Sequence, residues 1–107
     1  MTAALNTELA LNEPIDTLKA KILKRTAQIG VVGLGYVGLP FAVEKAKAGF
    51  RVIGIEENTR RAALVNQGQS YIQDVKSDDL RLVAEQGLLA AFTDFSRVPE
   101  LDVIVIC

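Results

Sequence analysis

One stretch, Gln28-Ile29-Gly30-Val31-Val32-Gly33-Leu34-Gly35-Tyr36-Val37-Gly38-Leu39-Pro40, constrains this chain more than any other. An apolar run stops at three glycines spaced G-x-G-x-x-G, and helical spacing of apolar residues begins straight after. A short run with no polar alternation reads as a strand buried on both faces, and so as a central one. The three glycines divide the work that follows. Gly33 permits a tight turn, Gly35 leaves the main chain open to close approach, and Gly38 lets a helix pack against the sheet. The N–H groups around Gly35, Tyr36 and Val37 then point outward from a helix N-terminus, where the dipole favours an anion. Strand, glycine turn and helix in this order read as a pyrophosphate-binding turn.

Downstream, helical spacing spans Tyr36 to Ala48, with Val37, Phe41 and Val43 to Ala48 as its apolar side and Gly49 as its stop. Pro40 suits the first turn, whose N–H groups have no intrahelical partner. Arg51 to Ile55 is a second strand closed by Glu56-Glu57, and Asn58 caps a helix that runs to Gly68. Gln69 to Lys76 is a loop, in which Tyr71 is placed to reach a ligand or, as the favoured expectation, to pack on the sheet edge. Ser77-Asp78-Asp79 reads as the capped start of a helix striped by Leu80, Val83 and Ala84 and ended by Gly87. Leu88 to Phe92 is a third strand. A turn at Thr93 to Ser96 leads into a short helical segment ending at or near Pro99. Asp102 to Cys107 is expected to be a fourth strand buried on both sides, with Cys107 a small buried hydrophobe. Ahead of the first strand, residues 1–14 read as a tail. Ile15 to Arg25 reads as a short helix capped by Asp16 or Thr17, with its cations near the C-terminal end.

Alternating strands and helices place the chain in the α/β class, as a Rossmann-type doubly wound parallel sheet truncated after its fourth strand. Residues 1–25 form the tail and short helix, and 26–107 a partial dinucleotide-binding domain. Glu56 lies eighteen positions beyond Gly38, at the end of the second strand. A carboxylate there accepts hydrogen bonds from ribose hydroxyls and repels a 2′-phosphate, which favours NAD over NADP. Arg60 and Arg61 follow at the start of the next helix, where one of them can lie against adenine or ribose.

Composition narrows the function classes. The 107 residues carry a formal net charge of −1, which makes no electrostatic case for nucleic acid or anionic membrane as partner. Histidine is absent, so the sequence holds no imidazole base and no histidine-based metal site. The single cysteine cannot form an intramolecular disulfide, in keeping with a reducing compartment. No run approaches the roughly 18 apolar residues of a membrane span, and the basic residues follow the first apolar ones, unlike a signal peptide. The expectation is a cytoplasmic protein.

The string Ile29 to Pro40 resembles the opening of the UDP-sugar 6-dehydrogenases. Ala46 to Ile55 (AKAGFRVIGI), Gly68 to Asp74 (GQSYIQD) and the Thr93-Asp94-Phe95 turn resemble it too. The S-Y-I-x-D and T-D-F-S-R-V strings are most similar to UDP-N-acetylglucosamine 6-dehydrogenases of bacterial surface-polysaccharide synthesis. UDP-glucose and UDP-N-acetylmannosamine dehydrogenases are close behind. The resemblance implies two successive NAD-dependent oxidations, from C6 alcohol to carboxylate, the second through a cysteine thioester. It places Gly33, Gly35, Tyr36, Val37 and Gly38 at the pyrophosphate, Glu56 at the ribose and Arg61 as the family's basic residue five positions on. The family more often carries aspartate where this chain has Glu56. Its catalytic residues lie far downstream, so no catalytic residue is expected here and Cys107 is not the nucleophile. The implied protein is an N-terminal fragment, inactive and poorly behaved alone. Its complete form would bind a UDP-sugar through the missing part and assemble at least as a homodimer. A non-catalytic NAD-sensing module and another NAD enzyme, such as a hydroxy-acid dehydrogenase, are the competing readings; the G-Y-V-G-L-P extension argues against both.

Overall fold

A computed structural model describes residues 15–107, so the expected tail at 1–14 lies outside the described residues. Four parallel strands, β1 (Gln28–Val32), β2 (Arg51–Ile55), β3 (Leu89–Phe92) and β4 (Val103–Ile106), lie in the order β3-β2-β1-β4. β1 is therefore central, as its apolar run requires. The chain winds outward through β2 and β3, then returns to place β4 on the other side of β1. This reversal makes the space above β1 and β4 the switch point of the sheet.

Helices α2 (Gly38–Lys47), α3 (Thr59–Asn66) and α4 (Ser77–Glu85) cover one face. Register sets that face: Ile29 lies beside Val52 and Val103, and Val52 beside Leu89. Ile29, Val31, Val52, Leu89 and Ala91 share one core with Leu39, Ala42, Val43 and Ala46 of α2, Val65 of α3, and Leu80 and Val83 of α4. Local chemistry delimits these helices as expected. Asn58 precedes α3 and its side chain accepts from the Arg61 N–H at 3.0 Å. Gly49, Gly68 and Gly87 follow α2, α3 and α4 with φ of 103°, 73° and 72°, the left-handed conformation glycine adopts without strain.

Several boundaries differ from expectation. α2 begins at Gly38, leaving Tyr36 and Val37 outside it and exposed. Its buried stripe is Leu39, Ala42, Val43 and Ala46, because burial follows i, i+3, i+4 and i+7 from the true start. Lys76, not Ser77, occupies the cap position of α4; the Ser77 hydroxyl instead accepts the Ser70 N–H at 3.0 Å. The one-turn helix Val98–Glu100, by contrast, ends one residue past Pro99, as expected. Residues 15–23 form α1, so Asp16 and Thr17 are inside the helix and do not cap it. Leu23 of α1 is exposed, and polar contacts tether the end of that helix. Lys21 donates to Asp102 at 2.8 Å, and the Lys21 carbonyl accepts from the N–H groups of Thr26 and Ala27. The Asp102 carboxylate also accepts the Gln28 N–H, and these two partners hold its pKa below the usual value.

The largest correction concerns β4. Ile104 and Ile106 are 47% and 80% exposed, so the strand is not buried on both sides. Val103 and Val105 share the row of Ile29 and Val31, whereas Ile104 and Ile106 fall on the opposite face. Among the described residues that face carries no α-helix of the α2–α4 layer. Cys107 follows β4 and is exposed, also contrary to expectation.

Candidate functional site

The glycine turn rises from β1 at the carboxyl end of the sheet, hydrogen-bonded on both flanks. The Gly33 N–H donates to the Ile55 carbonyl at 2.8 Å, and the Cys107 N–H donates to the Val32 carbonyl at 2.9 Å. Gly33 has a φ of 92°. A Cβ on Gly38 would overlap the Gly33 carbonyl oxygen. These two glycines are demanded by the protein's own atoms. Gly35 is not: its φ lies outside the left-handed region, and a Cβ there would meet only the Arg61 Nη1, 4.0 Å away. Among the described residues, the N–H groups of Gly35, Tyr36 and Val37 donate to no main-chain carbonyl, and no side chain caps α2.

Leu34, between the first two glycines, is held on three sides. Its side chain is fully buried against Gly54, whose Cβ would approach Leu34 Cδ1 to 2.6 Å. Its N–H donates to Glu56 Oε1 at 3.1 Å. Its carbonyl accepts the Tyr71 hydroxyl at 2.6 Å. Glu56 is the buried charged residue of the described chain, 7% exposed, and its second oxygen accepts the Asn58 N–H at 2.9 Å. The acid expected at the end of β2 is thus a brace between the turn and the start of α3. Arg61 stands beside the turn with its guanidinium 5.3 Å from the centre of the Tyr71 ring, within the range of a cation–π contact. Arg60 is exposed.

Beyond the strand ends lies a cleft of about 240 Å³. It is lined by Val32 and Gly33 after β1, Ile55 to Glu57 after β2, Thr93 and Phe95 after β3, and Cys107 after β4. Ligands of open α/β sheets bind in this place. Gly33, Gly35, Gly38, Glu56 and Arg61 therefore come together around one turn, and Gly33 and Glu56 also line the cleft. Tyr36 and Val37 sit at the same turn and are 81% and 70% exposed. Among the described residues no group of histidine, cysteine or acidic side chains is arranged to hold a metal ion.

Residues 27–107 match the sequence model of the NAD-binding domain of the UDP-glucose/GDP-mannose dehydrogenase family. The chain belongs to that family. It is 42% identical over 67 residues to the NDP-N-acetyl-D-galactosaminuronic acid dehydrogenase of Ralstonia nicotianae, covering 62% of this chain and 16% of that one. To the UDP-N-acetyl-D-mannosamine dehydrogenase of Yersinia pestis it is 36% identical over 66 residues, covering 61% of this chain and 16% of that one. The ternary-complex crystal structure of GDP-mannose dehydrogenase from Pseudomonas aeruginosa superposes with a TM-score of 0.70. Identity there is 36%, over 74% of this chain and 19% of that one. The chain thus spans less than a fifth of the length of these relatives. The relatives include a GDP-sugar enzyme, so the family is wider than the UDP-sugar group its glycine string resembles. NAD is the cofactor of this family's domain. Among the described residues no helix is long and apolar enough to cross a membrane.

Tyr71 is the residue that sequence reasoning misplaced. It packs against the helical face of the core and reaches the glycine turn, not the sheet edge. No spacing rule links a loop residue to a turn 37 positions earlier. Burial pushes its phenol up to about 12, the Glu56 charge adding to the rise and Arg61 partly offsetting it. The folded protein keeps this proton at pH values where the unfolded chain, near 10, has released it. Its contribution to stability is present below pH 10 and is lost as pH rises toward 12. Wild-type melting temperature should accordingly fall more steeply across this window than that of Tyr71→Phe. Parallel profiles would refute the shift.

Proposed function

We propose that this chain is the NAD-binding part of a nucleotide-sugar 6-dehydrogenase and carries the cofactor's pyrophosphate on the Gly33–Gly38 turn. The observation that supports this best is the open space at Gly35. Nothing among the described residues demands glycine there, so a closely approaching ligand is what the missing Cβ serves. The free N–H groups of Gly35, Tyr36 and Val37 donate to phosphate oxygens, and the N-terminus of α2 adds its dipole. Glu56 orders the turn through Leu34 and, facing the cleft, takes the ribose hydroxyls while disfavouring a 2′-phosphate. Arg61 supplies a cation beside the turn. When bound, NAD provides the hydride acceptor for oxidation at the sugar C6.

The substrate we favour is UDP-N-acetylglucosamine, on the strings Ser70 to Asp74 and Thr93 to Val98, with UDP-glucose and UDP-N-acetylmannosamine as alternatives. The 107 residues alone are inactive, and the complete enzyme is a cytoplasmic homodimer or larger assembly. Turnover of a UDP-sugar by the isolated chain would refute the first of these statements.

Gly35→Ala tests the cofactor reading. Having room for the Cβ, the variant should melt within about 5 °C of wild type, since Gly-to-Ala changes at compatible sites shift stability by under about 1 kcal/mol. Its NAD dissociation constant, by titration calorimetry, should rise about thirty-fold or more, the equivalent of about 2 kcal/mol. Equal affinity in the two proteins would remove the turn from the site.

A further inference from the structure

We propose that Tyr71 is a positioning residue for the phosphate site, acting through the peptide plane between Leu34 and Gly35; this rests on the cofactor reading above. The Leu34 carbonyl and the Gly35 N–H belong to one planar trans unit, in which C=O and N–H point in opposite directions. The Tyr71 hydroxyl donates to that carbonyl at 2.6 Å. Holding the oxygen toward Tyr71 turns the Gly35 N–H the other way, and among the described residues that N–H donates to no main-chain carbonyl. The bond also polarises the peptide, which strengthens its N–H as a donor. On the preceding peptide, Glu56 holds the Leu34 N–H at 3.1 Å. Two side chains from two different loops thus fix successive peptide planes of the turn, one by a carboxylate and one by a phenol.

Tyr71 has a second arm. Its ring lies 5.3 Å from the Arg61 guanidinium, which stands 4.0 Å from the position of a Gly35 Cβ. One residue therefore orients a neutral donor and a cation toward the same opening. The hydroxyl is well suited to this, because a phenol is protonated, and so a donor, throughout the physiological range. Ser70 supports the arrangement from the adjoining position. Its hydroxyl donates to the Ile72 carbonyl at 2.9 Å and its N–H donates to the Ser77 hydroxyl, tying the loop to α4.

A role through the Gly35 donor predicts loss that depends on phosphate. Tyr71→Phe keeps the ring and the Arg61 contact but removes the proton donor. Affinities for NAD, ADP and adenosine would be measured by calorimetry on wild type and variant, with melting curves of each. ADP and NAD should weaken about ten-fold, the usual consequence of orphaning one buried hydrogen-bonding group. Adenosine, which has no phosphate, should stay within about two-fold. Tyr71→4-aminophenylalanine, which restores an N–H donor, should recover most of the ADP affinity. Equal losses for ADP and adenosine would reduce Tyr71 to a merely structural residue, and unchanged ADP affinity would overturn the proposal outright. Should Tyr71→Phe melt below the assay temperature, the same titrations are run below its melting point, against wild type at that temperature. A wild-type protein that binds neither NAD nor ADP would refute the cofactor reading itself, and with it this inference.

Discussion

Gly38→Ala should collapse the site and destabilise the fold by about 3 kcal/mol or more, the upper end of what overpacking costs. The added methyl would overlap the Gly33 carbonyl oxygen and lie 3.5 Å from the Cys107 Cβ. The first neighbour is main chain, bonded into the sheet through the Gly33 N–H to Ile55, so it cannot swing aside as a side-chain tip would. Relief requires α2 to move away from β1, which opens the contacts of Leu39, Ala42 and Val43 with the core. Chemical denaturation and NAD titration together check this. The midpoint should fall sharply, and any residual folded protein should bind NAD poorly because the turn has opened. A stability loss below about 1 kcal/mol would show that the helix relaxes easily and that the close packing at Gly38 is not a constraint. Gly35→Ala is the contrasting case, as the same methyl three positions earlier meets open space.

Glu56→Ala should be nearly as damaging, by about 2–4 kcal/mol, because hydrogen bonds to charged groups are worth about 1.5–3 kcal/mol and their buried partners are left orphaned. The Leu34 N–H loses its acceptor in a buried position, and the Asn58 N–H loses its own beside the cap of α3. NAD affinity should fall together with stability, so this variant alone does not separate ribose binding from support of the turn. Glu56→Gln does. It keeps the volume and one acceptor oxygen while removing the charge that repels a 2′-phosphate. The ratio of NAD to NADP affinity should therefore drop about ten-fold or more in Glu56→Gln, the equivalent of about 1.4 kcal/mol. An unchanged ratio would leave Glu56 as a brace of the turn with no part in choosing the cofactor.

Much of this was legible in the linear chain because it depends on near neighbours. The Asn58 cap, the glycine stops at 49, 68 and 87, and the bounds of β2 follow from residues within a few positions of each other. The glycine turn belongs to the same class, since its strand, turn and helix are contiguous. The start of α2 was misjudged because Tyr36 and Val37 have helical neighbours but serve as the exposed approach to the helix. β4 was misjudged because an apolar run states what a strand would bury, not what lies against it. Ile104 and Ile106 alternate with Val103 and Val105, and only the sheet register shows which pair shares the face of Ile29 and Val31.

The sequence by itself determined a strand–turn–helix unit with its phosphate-facing glycines, the acid at the end of the second strand, and the α/β class. All are local patterns of period and backbone freedom. The tertiary structure decided what those residues do to one another. Parallel pairing of β1 with β2 brings Glu56 beneath Leu34, and the fold of the 69–76 loop carries the Tyr71 hydroxyl to the opposite end of the same residue. Hydrogen bonds of this kind are set by distance and direction in space, which chain spacing does not encode. The turn is thus a local motif whose donors are aimed by residues far from it in sequence.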